Sequence, residues 1–351
     1  MNMTSRRVPP ASSPQRLPVI LDTDVGGEPD DAMSLVIAAR ELPELALVVT
    51  SDELSGQRAR FARFLLDSAG RPDVPVVAGR QLSAMPCFLA AGLTPEWVTP
   101  QPDDVPGAVA AACGRAGGAA RWIGLGPLSN LAAILGPQPA LARRLFVTQL
   151  AGTLDRQDGR GAQDGRGALP PRNFRLDPPA ARLVLATARY LRLVSVDTAF
   201  RRAAEVTAAS PVFRQLAGPA VPPWADVLAA HCRQFFARYH PAVVPAGPLA
   251  LSAALGLPFT AFASAQVTVD GAGRIAERHG EGVLLGRDRD DLAFASWLQA
   301  RLRTATWAAP RARAATGPGY PARAATGSPY PSPAGSSPAP IWNQTVVSAP
   351  S

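Results

Sequence analysis

From Leu17 onward, short apolar runs alternate with longer stretches in which apolar residues recur every three or four positions. LPVILD, ELALVVTS, VPVVAG, ARWIGLG, LFVTQLAG and YLRLVSVD are brief and nearly continuous in Val, Ile and Leu, which predicts strands buried on both faces. Between them, DDAMSLVIAARE, SGQRARFARFLLDSAG, the stretch opening at PLSNLAAIL and DPPAARLVLATAR carry the period of amphipathic helices. Strand and helix alternate, so the fold class is α/β: a mostly parallel central sheet flanked by helices, in a single large domain over residues 17–305. At 351 residues the chain is long enough for such a core.

The pattern lapses in three places. MNMTSRRVPPASSPQR lacks an apolar h-region and predicts a disordered leader over residues 1–16 rather than a signal peptide. QDGRGA at Gln157 is repeated at once from Gln163, and ARAATG occurs at Ala312 and again at Ala322. Both stretches are rich in Gly, Pro and polar residues, which bury too little apolar surface to offset ordering entropy. A mobile loop at 155–170 and a disordered tail at 306–351 are expected.

Charge changes this picture little. The formal net charge is +8 and the sequence pI about 10.5, which raises the question of nucleic acid. All 35 basic residues are Arg, however, and they are scattered through an Ala-, Gly- and Pro-rich chain instead of forming a stripe. No nucleic-acid partner is expected. No apolar run approaches the roughly 18 residues of a membrane span, so no membrane partner is expected either. Cys87, Cys113 and Cys232 are odd in number and show no CxxC spacing, which fits a reducing, cytoplasmic setting.

In open parallel sheets, ligands bind in the crevice outside the strand C-termini. LDTDVGGEPDDA places Asp22, Asp24, Asp30 and Asp31 there, with Thr50 to Glu53, Leu125 to Pro127 and Asp197 after other strands. Asp22 and Asp24 alternate along a strand end and share a face, while the turn through Gly26, Gly27 and Pro29 brings Asp30 and Asp31 back toward them. Singly, such aspartates cap helices and accept loop hydrogen bonds. Together they repel one another unless a cation sits among them, and oxygen donors without His or Cys favour Ca²⁺ or Mg²⁺ over zinc.

ILDTDVGGEPDDAMSL resembles the N-terminal signature of the nucleoside hydrolase family, with two extra residues in the turn. VVTSDE, GRPDVPVVAG, GLGPLSNLA, NFRLDPPAA and HPAVVPAGPLALSAALGLPF follow in the family's order, over roughly residues 17–300. The resemblance implies a Ca²⁺-dependent enzyme that cleaves ribonucleosides to ribose and free base. By that resemblance Asp24, Asp31, Asp22 and the Leu125 carbonyl would hold Ca²⁺, and Asp24 would also take the proton of the attacking water. Asp30 and Asn173 would hold ribose hydroxyls, and Asp52 falls where the family usually places an Asn against the sugar. A ribonucleoside is the implied partner, and self-association into a homo-oligomer is left open.

The chain departs from that pattern on one side of the site. Where the family usually has an HDP motif, supplying an acid for the leaving base and a further carboxylate ligand, this chain has Ala246 and Gly247. An acidic residue expected two positions before Asn173 is Pro171. His231 and His240 lie on a helix-like run; His240, six residues before Ala246, is a conceivable substitute acid, although a partly exposed helical His is more often just that, while His279 sits in a charged turn. Two readings follow: a hydrolase of weakened activity, or a non-catalytic relative that binds a nucleoside or a partner. A haloacid-dehalogenase-type phosphatase would also carry DTD after its first strand, but such enzymes ordinarily need a lysine, and the chain has none.

Overall fold

The computed structural model describes residues 17–114, 118–152, 154, 172–195 and 204–304. The expected leader, the 155–170 loop and the 306–351 tail, along with Pro171 and Asp197, lie outside the described residues.

The first half of the chain alternates strand and helix: β1 (Val19–Thr23), α1 (Pro29–Glu41), β2 (Leu45–Thr50), α2 (Gln57–Ser68), β3 (Val76–Ala78), α3 (Val105–Gly114), β4 (Ala120–Gly124) and α4 (Ser129–Leu135). A 3₁₀ turn at Pro139–Arg143 leads to β5 (Leu145–Gly152), α5 (Arg172–Arg175), α6 (Pro178–Thr187) and β6 (Tyr190–Ser195). The second half holds β7 (Val206–Thr207), α7 (Pro211–Leu216), α8 (Pro223–Arg238), β8 (Ala242–Val243) and α9 (Ala246–Ala254). It ends with β9 (Thr260–Val269), β10 (Ile275–Glu277), β11 (Glu281–Arg289) and α10 (Asp291–Arg301).

One sheet of nine strands, ordered β10-β9-β11-β6-β5-β4-β1-β2-β3, runs through the molecule. Every pairing from β11 to β3 is parallel, and only the β9 pairings with β10 and β11 are antiparallel. The mostly parallel α/β class is therefore observed. Helices cover both faces: α1, α2, α8 and α9 pack over one apolar cluster with Leu21 and Val48, and α3, α4 and α6 over another with Ile20 and Trp122. Alternate β1 residues thus feed opposite cores, and all five are buried.

The strand order also locates a crevice. The chain leaves β1 toward β2 and β3, then returns to pair β4 against the other side of β1. Connections that diverge from adjacent parallel strands leave a cleft beyond their C-terminal ends. That cleft opens where Asp22 is level with Gly124 of β4 and Val49 of β2.

Candidate functional site

The floor of the cleft is the end of β1. Asp22 is 1% exposed, its Oδ1 accepts a 3.0 Å hydrogen bond from Asn130 Nδ2, and its Oδ2 is buried with no hydrogen-bond partner among the described residues. Burial pushes this carboxyl up to about 8 against the opposing effect of the Asn130 bond. Asn130 is held in turn by its second donor bond, to the Thr50 carbonyl at 3.0 Å. The loop after β4 lies hard against Asp24: a Cβ built on Gly126 would stand 2.3 Å from Ser51 Oγ and 3.0 Å from the Asp24 nitrogen. Only glycine allows this approach.

Beyond Asp24 the chain turns through Gly26, at φ +94°, and enters α1 with Pro29 as its first residue. Asp30 and Asp31 therefore sit in the first helical turn, where the helix dipole favours negative charge. Neither is the cap; that position is Glu28, which makes no side-chain cap bond. Asp30 Oδ2 accepts from the Gly247 N–H at 2.8 Å, and Asp31 Oδ2 accepts from Thr23 Oγ1 at 2.5 Å. Burial, then repulsion from Glu28 and Asp24, raises Asp30 to about 8. Burial, then repulsion from Asp30 and Asp24, holds Asp31 well above the usual carboxylate range.

A second group of residues closes the cleft from β2 and α5. Asp52 follows β2 with φ +49°, and its side chain is fully buried. Its Oδ1 accepts from Ser83 Oγ at 2.7 Å and from the Ser83 N–H at 2.9 Å. Burial pushes Asp52 up, but the Ser83 bonds and the Arg172 and Arg58 charges outweigh it and hold the carboxyl below its usual range. Arg172 spans the cleft: its Nη1 donates to Asp24 Oδ2, and its Nη2 donates to Asp52 Oδ2 at 2.5 Å. The next residue, Asn173, donates its amide to the Leu125 carbonyl.

All seven residues singled out from the sequence, Asp22, Asp24, Asp30, Asp31, Asp52, Leu125 and Asn173, therefore line one end of the sheet. Asp24 differs from the other aspartates in being partly open to solvent, with a side-chain exposure of 12%. His231 lies within α8. It is fully buried, with Nε2 3.0 Å from the Gly27 carbonyl and its ring edge-on to Phe61, because α8 packs inward rather than facing solvent. His240 turns its Nδ1 to the Ala242 carbonyl at 2.8 Å.

Two arginines were not anticipated. Arg172 stands in a polar segment before a helix, where a charged side chain ordinarily reads as solvated. Arg58 gave a usable signal: with Phe61, Ala62 and Leu65 it falls at positions i, i+3, i+4 and i+7, on the apolar face of α2. It is fully buried and donates to the carbonyls of Asp52 and Cys87 at 2.8 Å, of Val25 at 3.0 Å, and of Asp24.

The family model described as inosine-uridine preferring nucleoside hydrolase matches residues 19–306. A pyrimidine-specific ribonucleoside hydrolase, RihA of Enterobacter sp. (strain 638), is 27% identical over 246 residues, covering 64% of this chain and 72% of that protein. Among solved structures, the plant nucleoside hydrolase PpNRh1 superposes with TM-score 0.65 at 22% identity, covering 83% of this chain and 99% of that one. An inosine-uridine preferring nucleoside hydrolase from Bacillus anthracis gives 0.62 at 16% identity, covering 81% and 99%. The type III effector XopQ, solved with adenosine diphosphate ribose, gives 0.62 at 19% identity, covering 82% and 94%. Likeness at these identities concerns the fold.

Proposed function

Because the chain belongs to the inosine-uridine preferring nucleoside hydrolase family, we propose that it hydrolyses the N-glycosidic bond of ribonucleosides, giving ribose and a free base. The observation that carries this reading is Asp24. It is the most exposed of the four aspartates at the β1–α1 junction, and it is held in place by a contact to its backbone from Arg58. A carboxylate so placed takes the proton of a water attacking C1′ of an oxocarbenium-like ribosyl centre. Asp30, Asp52 and Asn173 supply the polar atoms for ribose hydroxyls. Three free cysteines support a reducing cytoplasmic setting, and among the described residues no helix is long and apolar enough to cross a membrane.

The family is metal-dependent, and the ion implied by the resemblance is Ca²⁺, on Asp22, Asp24, Asp31 and the Leu125 carbonyl. The donors do not fit a divalent ion as they stand. Asp24 Oδ2 is taken by Arg172, the Leu125 carbonyl by Asn173, and Asp31 Oδ2 by Thr23. Position 247 offers a backbone N–H in place of a carboxylate, and among the described residues no three acidic, His or Cys side chains converge as an ion's cage would require. No imidazole is present at 246 to protonate the departing base, and loss of a general acid typically costs about 10² to 10⁴ in rate.

The same contacts favour a second reading, a catalytically impaired relative acting as a binding or regulatory protein. A carboxylate neutralised by a guanidinium is a poor base. Incubation with inosine, uridine, adenosine and cytidine, with and without Ca²⁺, separates the two. Ribose release above that of Asp24→Ala supports the hydrolase, and release equal to that control supports the impaired relative.

A further inference from the structure

The carboxylate cluster already contains a cation, and that cation belongs to the chain. Arg172 uses two different nitrogens to join Asp24, 148 positions away, to Asp52, 120 positions away. A guanidinium is planar and presents paired donors, so it suits two carboxylates facing one space better than an ammonium would. Its burial opposes its charge, yet Asp24 and Asp52 outweigh that effect and hold it firmly protonated. Asp52 is itself the departure that makes a second cationic partner necessary: where the resemblance places a neutral Asn, this chain adds a buried negative charge.

Asn173 extends the effect. Arg172 and Asn173 are consecutive in α5, and between them they occupy Asp24 Oδ2 and the Leu125 oxygen. One helical turn thus takes up two donors that a metal ion would need. What is left over is Asp22 Oδ2, buried and without a partner among the described residues.

We propose that Arg172 is the resident cation of this cluster and competes with divalent metal for Asp24. The protein as it stands takes up neither Ca²⁺ nor Mg²⁺ at this site, and removing the guanidinium frees Asp24 to turn toward Asp22 and Asp31, which form no ion's cage with it while Arg172 holds it. The inference rests on family membership only for the choice of ion, and its test does not read turnover, so it can fail or succeed apart from the hydrolase reading.

The test is calorimetric titration of CaCl₂, and separately MgCl₂, into the full chain and into Arg172→Met and Arg172→Gln, with circular dichroism confirming that each variant is folded. Wild type is expected to give no saturable heat and no rise in Tm at millimolar Ca²⁺. The variants are expected to bind one ion, tighter than wild type by on the order of a hundredfold, with a Tm that climbs with Ca²⁺. Asp52→Asn, which removes one of the two anchors of Arg172, should bind with intermediate affinity. Saturable Ca²⁺ binding at Asp24 by wild type, or folded Arg172 variants that gain no binding, would overturn the proposal. Should neither Arg172 variant fold, the wild-type and Asp52→Asn titrations decide it alone: wild-type binding overturns it, and binding gained only by Asp52→Asn supports it.

Discussion

Asp30 and Gly247 are joined across 217 positions by a 2.8 Å hydrogen bond from the Gly247 N–H to Asp30 Oδ2. Asp30 lies in the first turn of α1 and Gly247 in the first turn of α9, so one carboxylate faces two helix N-termini. Each contributes unpaired N–H groups and the positive end of a dipole, a setting that favours an anion. Burial nevertheless dominates the balance and leaves Asp30 raised to about 8.

This geometry bears on any attempt to restore a carboxylate at position 247. A Cβ built there stands 2.6 Å from Ser34 Oγ and 3.2 Å from Asp31 Oδ1. Gly247→Asp must therefore push Ser34 aside and place a further charge beside carboxylates already raised by burial and then by mutual repulsion. We expect it to cost about 2 to 4 kcal/mol in urea denaturation, combining overpacking with an unpaired buried charge. Gly247→Ala meets the same hydroxyl without the charge and should cost less. Adding Ser34→Ala should recover part of the Gly247→Ala loss, since the obstructing atom is that hydroxyl. A Gly247→Ala protein as unstable as Gly247→Asp would contradict the electrostatic part of this account.

Arg58 makes a second prediction. Its guanidinium gathers carbonyls from the β1 turn, from Asp52 and from Cys87, and lies 3.8 Å from the Asp52 carboxylate. Three separate segments of the cleft wall are thereby tied to one side chain on α2. Arg58→Met leaves those buried carbonyls without their donor and removes one of the two cations facing Asp52, and should cost about 3 to 5 kcal/mol. Arg58→Lys should recover little, because an ammonium has three donors on a single atom and does not span the fork. Guanidinium chloride denaturation of the three proteins measures both effects. A loss below about 1 kcal/mol for Arg58→Met would mean that water replaces the guanidinium at these carbonyls.

The difference between what the sequence revealed and what it concealed follows from the range of the interactions. LFVTQLAG coincides with β5 from Leu145 to Gly152, because a strand buried on both faces is apolar throughout and needs no partner to be recognised. The aspartates of LDTDVGGEPDDA were legible for a similar reason, since four carboxylates at a strand-to-helix turn are locally unusual. The antiparallel unit of β9, β10 and β11 was not. β9 is exposed or half-exposed at most positions and β11 ends in GRDR, so neither presents a clean apolar run. Arg172 was illegible for a different reason: nothing near it in sequence distinguishes it from the other arginines, and its two partners are more than a hundred positions away. Arg58 lay between these cases, its period placing it on the apolar face of α2 while its residue type argued for solvent.

His231 supplies the last prediction, which concerns pH. It is fully buried on α8, its Nε2 bonded to the Gly27 carbonyl and its Nδ1 without a partner among the described residues. The neutral tautomer with a proton on Nε2 satisfies the first contact, while a second proton would put a charge on a fully buried ring beside the Arg58 guanidinium. Burial accordingly lowers the imidazole from 6.5 to about 4. The unfolded chain binds this proton more readily than the folded one, so stability from this residue is present above pH 6.5 and is lost as pH falls toward about 4. The full shift corresponds to about 3 kcal/mol. Asp22 and Asp30, raised instead of lowered, act in the opposite sense, so the comparison must be a difference between proteins rather than one melting curve. In His231→Gln the amide keeps a donor for Gly27 but has nothing to titrate, while the aspartates are unchanged. Its Tm should therefore fall less than that of wild type between pH 6.5 and 4, and equal falls in the two proteins would show that His231 is not the group being protonated.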